Sequence, residues 1–342
     1  MRPEDFLEEV LRSGLLRSRD LHITRMCSAL VAVSEGRVVK VSDPEMRYCP
    51  LAETLYTISG SAPIDSLKRK IIEAVERKIA EFGLFTDARQ LYRESVAIPF
   101  GASEMIMYDL MKGGADAAIT VCDGAGTVIA ENPYLVQGIG ARMNGIFYTS
   151  PIEHVIKRIR EMGGLVPFTE NARIDQAEGL RAAAGRYKRV DVTVNGFSID
   201  SLGEIRDAES ESGLSATVLA VCNTGISGDR VKEIARHADL VWACGSRMVR
   251  EVAGAEALLQ AATKIPVFCL TKRGMGLVAN YSTGGLLRYF SEHRGPFLIS
   301  GQCPRVEGVR NVQRIGMGNF KTYVGEVERL PVRSSHEPEP LL

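Results

Sequence analysis

Apolar positions along the chain repeat with two periods, and each period predicts a different element. Residues 29–41 (ALVAVSEGRVVKV) alternate, with Glu35-Gly36 at the midpoint, which predicts a β-hairpin. Residues 65–82 place Leu67, Ile71, Ile72, Val75 and Ile79 at helical spacing, with Asp65 as N-cap and Gly83 as stop. The N-terminal stretch predicts a short amphipathic helix with Phe6, Val10 and Leu11 on one side. A further helix is expected over 101–113. The apolar run Ala115 to Val121 reads as a buried strand entering the Gly-rich turn Cys122-Asp123-Gly124-Ala125-Gly126-Thr127, with a second short strand over 127–130. Residues 131–150, rich in Gly and Asn, read as a loop. A helix from Ile152 to Met162 follows, ending at Gly163-Gly164.

The second half is more regular. Short apolar runs at 190–194, 216–221, 240–243 and 266–270 alternate with helical patterns near 176–185, 199–210, 228–237, 248–263 and 275–290. Repeated βα units whose strands are apolar throughout imply strands covered on both faces. The expected fold is α/β: a mostly parallel sheet flanked by helices, Rossmann-like in its second half, with a smaller N-terminal portion of β-hairpin and helix. The expected organisation is an N-terminal portion over 1–163, a Rossmann-like portion over 164–292, a C-terminal extension over 293–332 and a disordered tail over 333–342.

In such sheets ligands bind beyond the carboxyl ends of the strands. Four expected strands end in small, polar or charged residues: Cys122 to Thr127, Cys222 to Asp229, Cys244-Gly245-Ser246-Arg247, and Thr271 to Gly274. Gly124, Gly126, Thr127, Thr224, Gly225, Ser227 and Ser246 are therefore candidate ligand-binding residues, and Thr224 to Ser227 before a helix suits a phosphate or carboxylate. Singly, Ser227 and Gly225 also read as an ordinary cap and turn. Asp123 and Asp175, near turns rather than on charged helical faces, are candidate general bases, and Cys122 is a candidate nucleophile. No P-loop and no GxSxG elbow occurs; Gly138-Ile139-Gly140 has Met143 where a dinucleotide fingerprint needs its third glycine.

Composition narrows the classes. Forty-two basic and 42 acidic residues cancel, and the basic stretches are short, which argues against nucleic-acid binding. No apolar run spans a bilayer and the N-terminus does not read as a signal peptide, so a cytoplasmic protein with no membrane contact is expected. Seven widely spaced cysteines with no CxxC exclude a local zinc finger or ferredoxin loop and favour reduced thiols. Cys49, Cys122 and Cys244 are candidates for a shared iron–sulfur or other thiol-bound metal site. Cys222 and Cys269 read as core, and Cys27 carries no signal.

Several strings at these same positions resemble the methanogenesis marker protein 8 family, over about residues 47–275. They are Tyr48-Cys49-Pro50-Leu51, Cys122 to Ile129, Leu135 to Arg142, Thr149 to Ile152, Ile174-Asp175-Gln176, Asn223 to Ser227, Trp242 to Ser246, and Thr271 to Gly274 after Ile265-Pro266-Val267. The resemblance adds Gln137 and Arg142 to the candidate ligand-binding residues. It implies an uncharacterised archaeal accessory factor of methanogenesis, with methyl-coenzyme M reductase or its activation machinery as partner and maturation of that enzyme as the task. A non-catalytic assembly protein and a phosphate-ligand transferase or sensor are the alternatives; whether the protein is an enzyme is left open, as is its oligomeric state.

Overall fold

The computed structural model describes residues 1–16, 18–45, 63–198 and 202–333. Cys49 and the tail beyond Arg333 lie outside them. Two sheets organise the chain. The first has four antiparallel strands in the order β3-β2-β1-β6: β1 (His22–Met26), β2 (Ala29–Ser34), β3 (Arg37–Val41) and β6 (Ile146–Thr149). The alternation of β2 has a direct consequence. Ala29, Val31 and Val33 pack on one face against Leu67, Ile71 and Val75 of α2 (Ile64–Phe82). Leu30 and Ala32 meet Phe6 and Val10 of α1 (Pro3–Arg12) on the other. Leu11, expected with Phe6 and Val10, is exposed instead. Helix α2 ends where Gly83 adopts a left-handed φ of 65°, a conformation that glycine takes without steric penalty. Its N-cap is Pro63, which offers no side-chain hydrogen bond, rather than Asp65.

The second sheet has ten strands in the order β13-β14-β12-β10-β11-β9-β8-β7-β4-β5. Its centre is the parallel block β4 (Ala117–Cys122), β7 (Arg189–Asn195), β8 (Ser215–Val221) and β9 (Leu240–Trp242). Outside that block the direction reverses. β5 (Gly126–Ala130) folds back on β4, and β11 (Val267–Cys269) runs antiparallel to both β9 and β10 (Leu259–Ala261). β12 (Phe297–Ser300) lies parallel to β10, and the hairpin of β13 (Arg310–Met317) and β14 (Phe320–Glu326) closes the rim. The sheet is thus mixed, not mostly parallel, and the Rossmann-like description holds only for its centre. The physical reason is connection length: β10 and β11 are three residues each and joined too tightly for a helical crossover, so they pair antiparallel. One sheet spans residue 163, because β4, which carries β5 at its edge, pairs with β7 of the second half.

Helices cover both faces of this sheet. Alternation sends Ala118, Val128 and Ala130 to one core and Ala117, Ile119 and Ile129 to the other. The helices are α3 (Ala102–Met111), α4 (Pro133–Gly140), α5 (Glu153–Glu161), α6 (Gln176–Ala183), α7 (Leu202–Ser212), α8 (Gly228–His237), α9 (Arg247–Val252), α10 (Lys272–Tyr281) and α11 (Leu286–Glu292). The helix expected over 248–263 is only α9, followed by β10. The region expected to be a loop over 131–150 holds α4 and β6. Asn132 caps α4 through its side chain, with Pro133 at the first turn.

Candidate functional site

The carboxyl ends of β4, β7, β8 and β9 open into a cavity of about 440 Å³, lined there by Thr120, Val121, Thr193, Asn195, Val221, Cys222, Trp242 and Cys244. The opposite wall comes from the four-stranded sheet: Ile23, Met26 and Cys27 at β1, Ile146 and Phe147 at β6, and the turn Arg142-Met143-Asn144-Gly145 that leads into β6. The site therefore lies between the two sheets. Arg25 ties them together. Its guanidinium donates to Thr224 O at 2.6 Å and stacks over the Phe197 ring at 4.4 Å. Trp242 Nε1–H donates to Phe100 O at 2.9 Å, and Glu104 accepts from the backbone of Ala97 and Ile98, so the segment 97–104 is fixed against the same cavity.

The cavity is largely apolar, with its polar groups concentrated at one place. Lys78 of α2 is only 5% exposed. Its ammonium donates to Arg142 O at 2.7 Å and to Asn144 Oδ1. Burial first, and then the Arg142 guanidinium, lower the Lys78 pKa to about 7. Arg142 Nε and Asn195 Nδ2 are buried donors with no hydrogen-bond partner among the described residues. Asn195 Nδ2 and Cys222 Sγ converge on Gly145: a Cβ there would stand 2.6 Å from the first and 3.1 Å from the second. Gly145 N–H donates to Cys222 Sγ; burial raises the thiol's pKa, while that donor, Arg25 and Lys78 pull it down. Cys27, Cys222 and Cys244 all have positive φ, at 50°, 58° and 46°. Non-glycine residues hold that strained conformation only where their surroundings impose it, and such residues gather at functional sites.

The candidates named from sequence separate into two groups. Arg142 and Cys244 line the cavity. The other described candidates are engaged elsewhere; Cys49 lies outside the described residues. Asp123 is fully buried and pairs with Arg89 Nε at 2.8 Å, while also accepting from Phe85 N. Beside it, burial and then the Asp123 carboxylate push the Cys122 thiol well up. Gly124 N–H donates to Thr149 Oγ1 at 2.7 Å. Gly126 has φ of 68°, and an added Cβ would lie 2.1 Å from Ala172 O. Thr127 Oγ1 donates to Gln176 Oε1 and accepts from Asp175 N, and Asp175 in turn caps α6 through Glu178 N. Gln137 Nε2 donates to Ser95 O. Thr224 Oγ1 accepts from Gly245 N, with Gly225 (φ 81°) completing the turn. Ser227 and Ser246 cap α8 and α9. Among the described residues, no group of three or more His, Cys, Asp or Glu is placed to hold a metal ion. No disulfide links the described cysteines. Among the described residues, no helix is long and apolar enough to cross a membrane.

Lys78, Asn144, Asn195, Cys27 and Cys222 were missed by sequence reasoning. One signal was present for Lys78. It lies three residues after Val75 and seven after Ile71, on the buried stripe of α2, where a lysine is out of place.

The sequence profile of a family described as uncharacterized proteins conserved in archaea (DUF2099) matches residues 22–282. The uncharacterized protein MJ0054 of the methanogen Methanocaldococcus jannaschii is 37% identical over 257 residues, which is 75% of this chain and 88% of that relative. The profile match takes in β1 through α10 and so both walls of the cavity, and on this evidence the chain belongs to that archaeal family of uncharacterized proteins.

Proposed function

We propose that the protein binds a small organic anion in the cavity between its two sheets and serves as an accessory factor in methanogen metabolism. The observation that carries the first part is a pair of buried donors, Arg142 Nε and Asn195 Nδ2, that have no hydrogen-bond partner among the described residues and belong to two residues lining a largely apolar space of about 440 Å³. Buried polar groups are almost always satisfied, and exceptions call for a partner that completes them. Donors beside the cationic groups of Lys78 and Arg142 select an acceptor with negative charge, and the apolar walls accommodate a carbon skeleton.

The methanogen setting rests on the relative in Methanocaldococcus jannaschii and on the family resemblance of the strings quoted above. In that setting the ligand-loaded protein acts in maturation or activation of methyl-coenzyme M reductase. Thermal unfolding in the presence of millimolar small carboxylates, sulfonates and phosphates tests the ligand. A stabilising acid is expected, with Asn195→Asp removing the effect. No stabilisation by any acid of the panel would count against the reading. An anaerobic pull-down from methanogen extract that recovers neither the reductase nor its activation proteins would remove the second part.

A further inference from the structure

The cavity that carries the anion site also gathers cysteines. Cys27, Cys222 and Cys244 line it just beyond the ends of β1, β8 and β9, whereas Cys122, Cys269 and Cys303 are packed into the cores of the large sheet. Cys222 is the one that adjoins the amide donor of Asn195. A Cβ on Gly145 would stand 2.6 Å from Asn195 Nδ2 and 3.1 Å from Cys222 Sγ, so amide and thiol lie side by side over a glycine that leaves them room. Cys222 is also the thiol that both cations of the cavity feel: Arg25 interacts with Cys222 and Cys244, and Lys78 with Cys27 and Cys222. An acid that accepts from Asn195 Nδ2 therefore sets its first carbon atoms against a sulfur atom.

We propose that the site takes the disulfide of a small mercapto acid and that Cys222 joins it as a mixed disulfide, the acidic group being held by Asn195 Nδ2–H and Arg142 Nε–H. This reading rests on the anion site proposed above and adds its substrate class and a covalent step. The Cys222 thiolate attacks one sulfur of the ligand. The new bond to Cys222 Sγ forms as the ligand's own S–S bond breaks, and the second half leaves as a thiolate that takes up the proton Cys222 lost. The ligand's disulfide is the oxidant: Cys222 is oxidised and the departing sulfur reduced. Burial keeps the Cys222 thiolate scarce, so exchange depends on a disulfide held in place by its acid, and the effect is read as a ratio of rates.

The test compares two reagents that differ in charge. The full chain, reduced and freed of reductant, is treated at pH 8 with equal concentrations of bis(2-carboxyethyl) disulfide or of uncharged bis(2-hydroxyethyl) disulfide. Adducts are counted by intact mass and located by peptide mass spectrometry. One adduct per chain on Cys222 is expected, formed about tenfold faster with the acidic reagent. Asn195→Asp is expected to abolish that preference while leaving the uncharged reagent within about twofold of its wild-type rate. Cys222→Ser should lose the adduct; because it alters a residue with φ of 58°, the rate ratio on the wild type is the deciding readout, and it should vanish in urea. Equal rates on the folded protein, or an adduct on Cys27 or Cys244 in place of Cys222, overturns the proposal. If acids stabilise the protein but the acidic disulfide shows no preference at Cys222, the sulfur chemistry is wrong and the anion site stands. If no acid stabilises it and no preference appears, both fall.

Discussion

The loop after β4 and the turn at 142–145 both contain glycine, both adjoin a sheet edge and both carry a basic residue nearby, yet they end in opposite states. Around the first, charges and donors are matched within the fold. Asp123 faces Arg89, whose remaining N–H groups reach the carbonyls of Gln90, Gly138 and Ile139. Around the second, Arg142 Nε and Asn195 Nδ2 have no acceptor among the described residues. A conspicuous glycine-rich motif here marks close packing of one backbone on another, while the less conspicuous turn adjoins the cavity proposed to hold a ligand. Gly138 makes the same point, since a Cβ there would meet Leu91 O at 2.1 Å.

The comparison breaks most sharply at Asp123. Asp123→Ala leaves Arg89 as a buried, uncompensated cation and is expected to lose about 3–5 kcal/mol in urea unfolding. Gly126→Ala follows, at about 2–4 kcal/mol, from backbone strain and contact with Ala172 O. If either were neutral, the loop would not be the sealed structure described. At the cleft the effect shifts from stability to binding. Asn195→Asp keeps the side-chain oxygen that accepts Phe197 N–H at 3.0 Å and replaces the donor with a negative charge. It should change stability by under about 1 kcal/mol. Titration calorimetry with the stabilising acid should show affinity falling on the order of tenfold to a hundredfold.

The smallest effect belongs to a third kind of polar group, sealed but badly matched. Asp191 of β7 is fully buried, and burial, then the nearby Asp109 carboxylate, push its pKa well up. Its folded form keeps a proton that the unfolded chain releases in the ordinary carboxylate range. Its contribution to stability is therefore full below that range and declines as pH rises toward the raised value. Asp191→Asn fixes the neutral form, so its melting temperature should exceed that of the wild type by a margin that widens from pH 5 to 8. A margin constant with pH would show that the acid is not protonated in the fold.

Sequence reading found the elements with clean periods. The hairpin around Glu35-Gly36, the helix closed by Gly83, and the four central strands all lie where apolar spacing puts them. It also expected a ligand crevice at the strand ends; a cavity opens there, and of the described candidate residues Arg142 and Cys244 line it. What it could not supply was the direction of the outer strands, because β10 and β11 are too short to show a period and their pairing depends on a tight reversal. Nor could it tell a glycine needed for contact from one needed for a ligand. Within α4, Gly138 and Gly140 read as loop signals, although they lie in a helix pressed against Leu91 and Ser103. The residues that give the site its polarity come from α2, β7 and the turn before β6, far apart in sequence and joined only by the stacking of one sheet on the other.

The three strands β12, β14 and β13 lie beyond the stretch matched by the family profile, yet they continue the same sheet from β10 outward. A chain cut after residue 282 would leave the flank of β10 with open amide and carbonyl groups, a template for a second copy and a start for aggregation. In the intact protein that hazard is moved outward to β13, whose rim carries exposed Arg310 and Arg314. Those like charges disfavour pairing with a matching edge from another molecule, so the C-terminal strands cover the flank of a sheet whose cavity lies at the ends of β4, β7, β8 and β9.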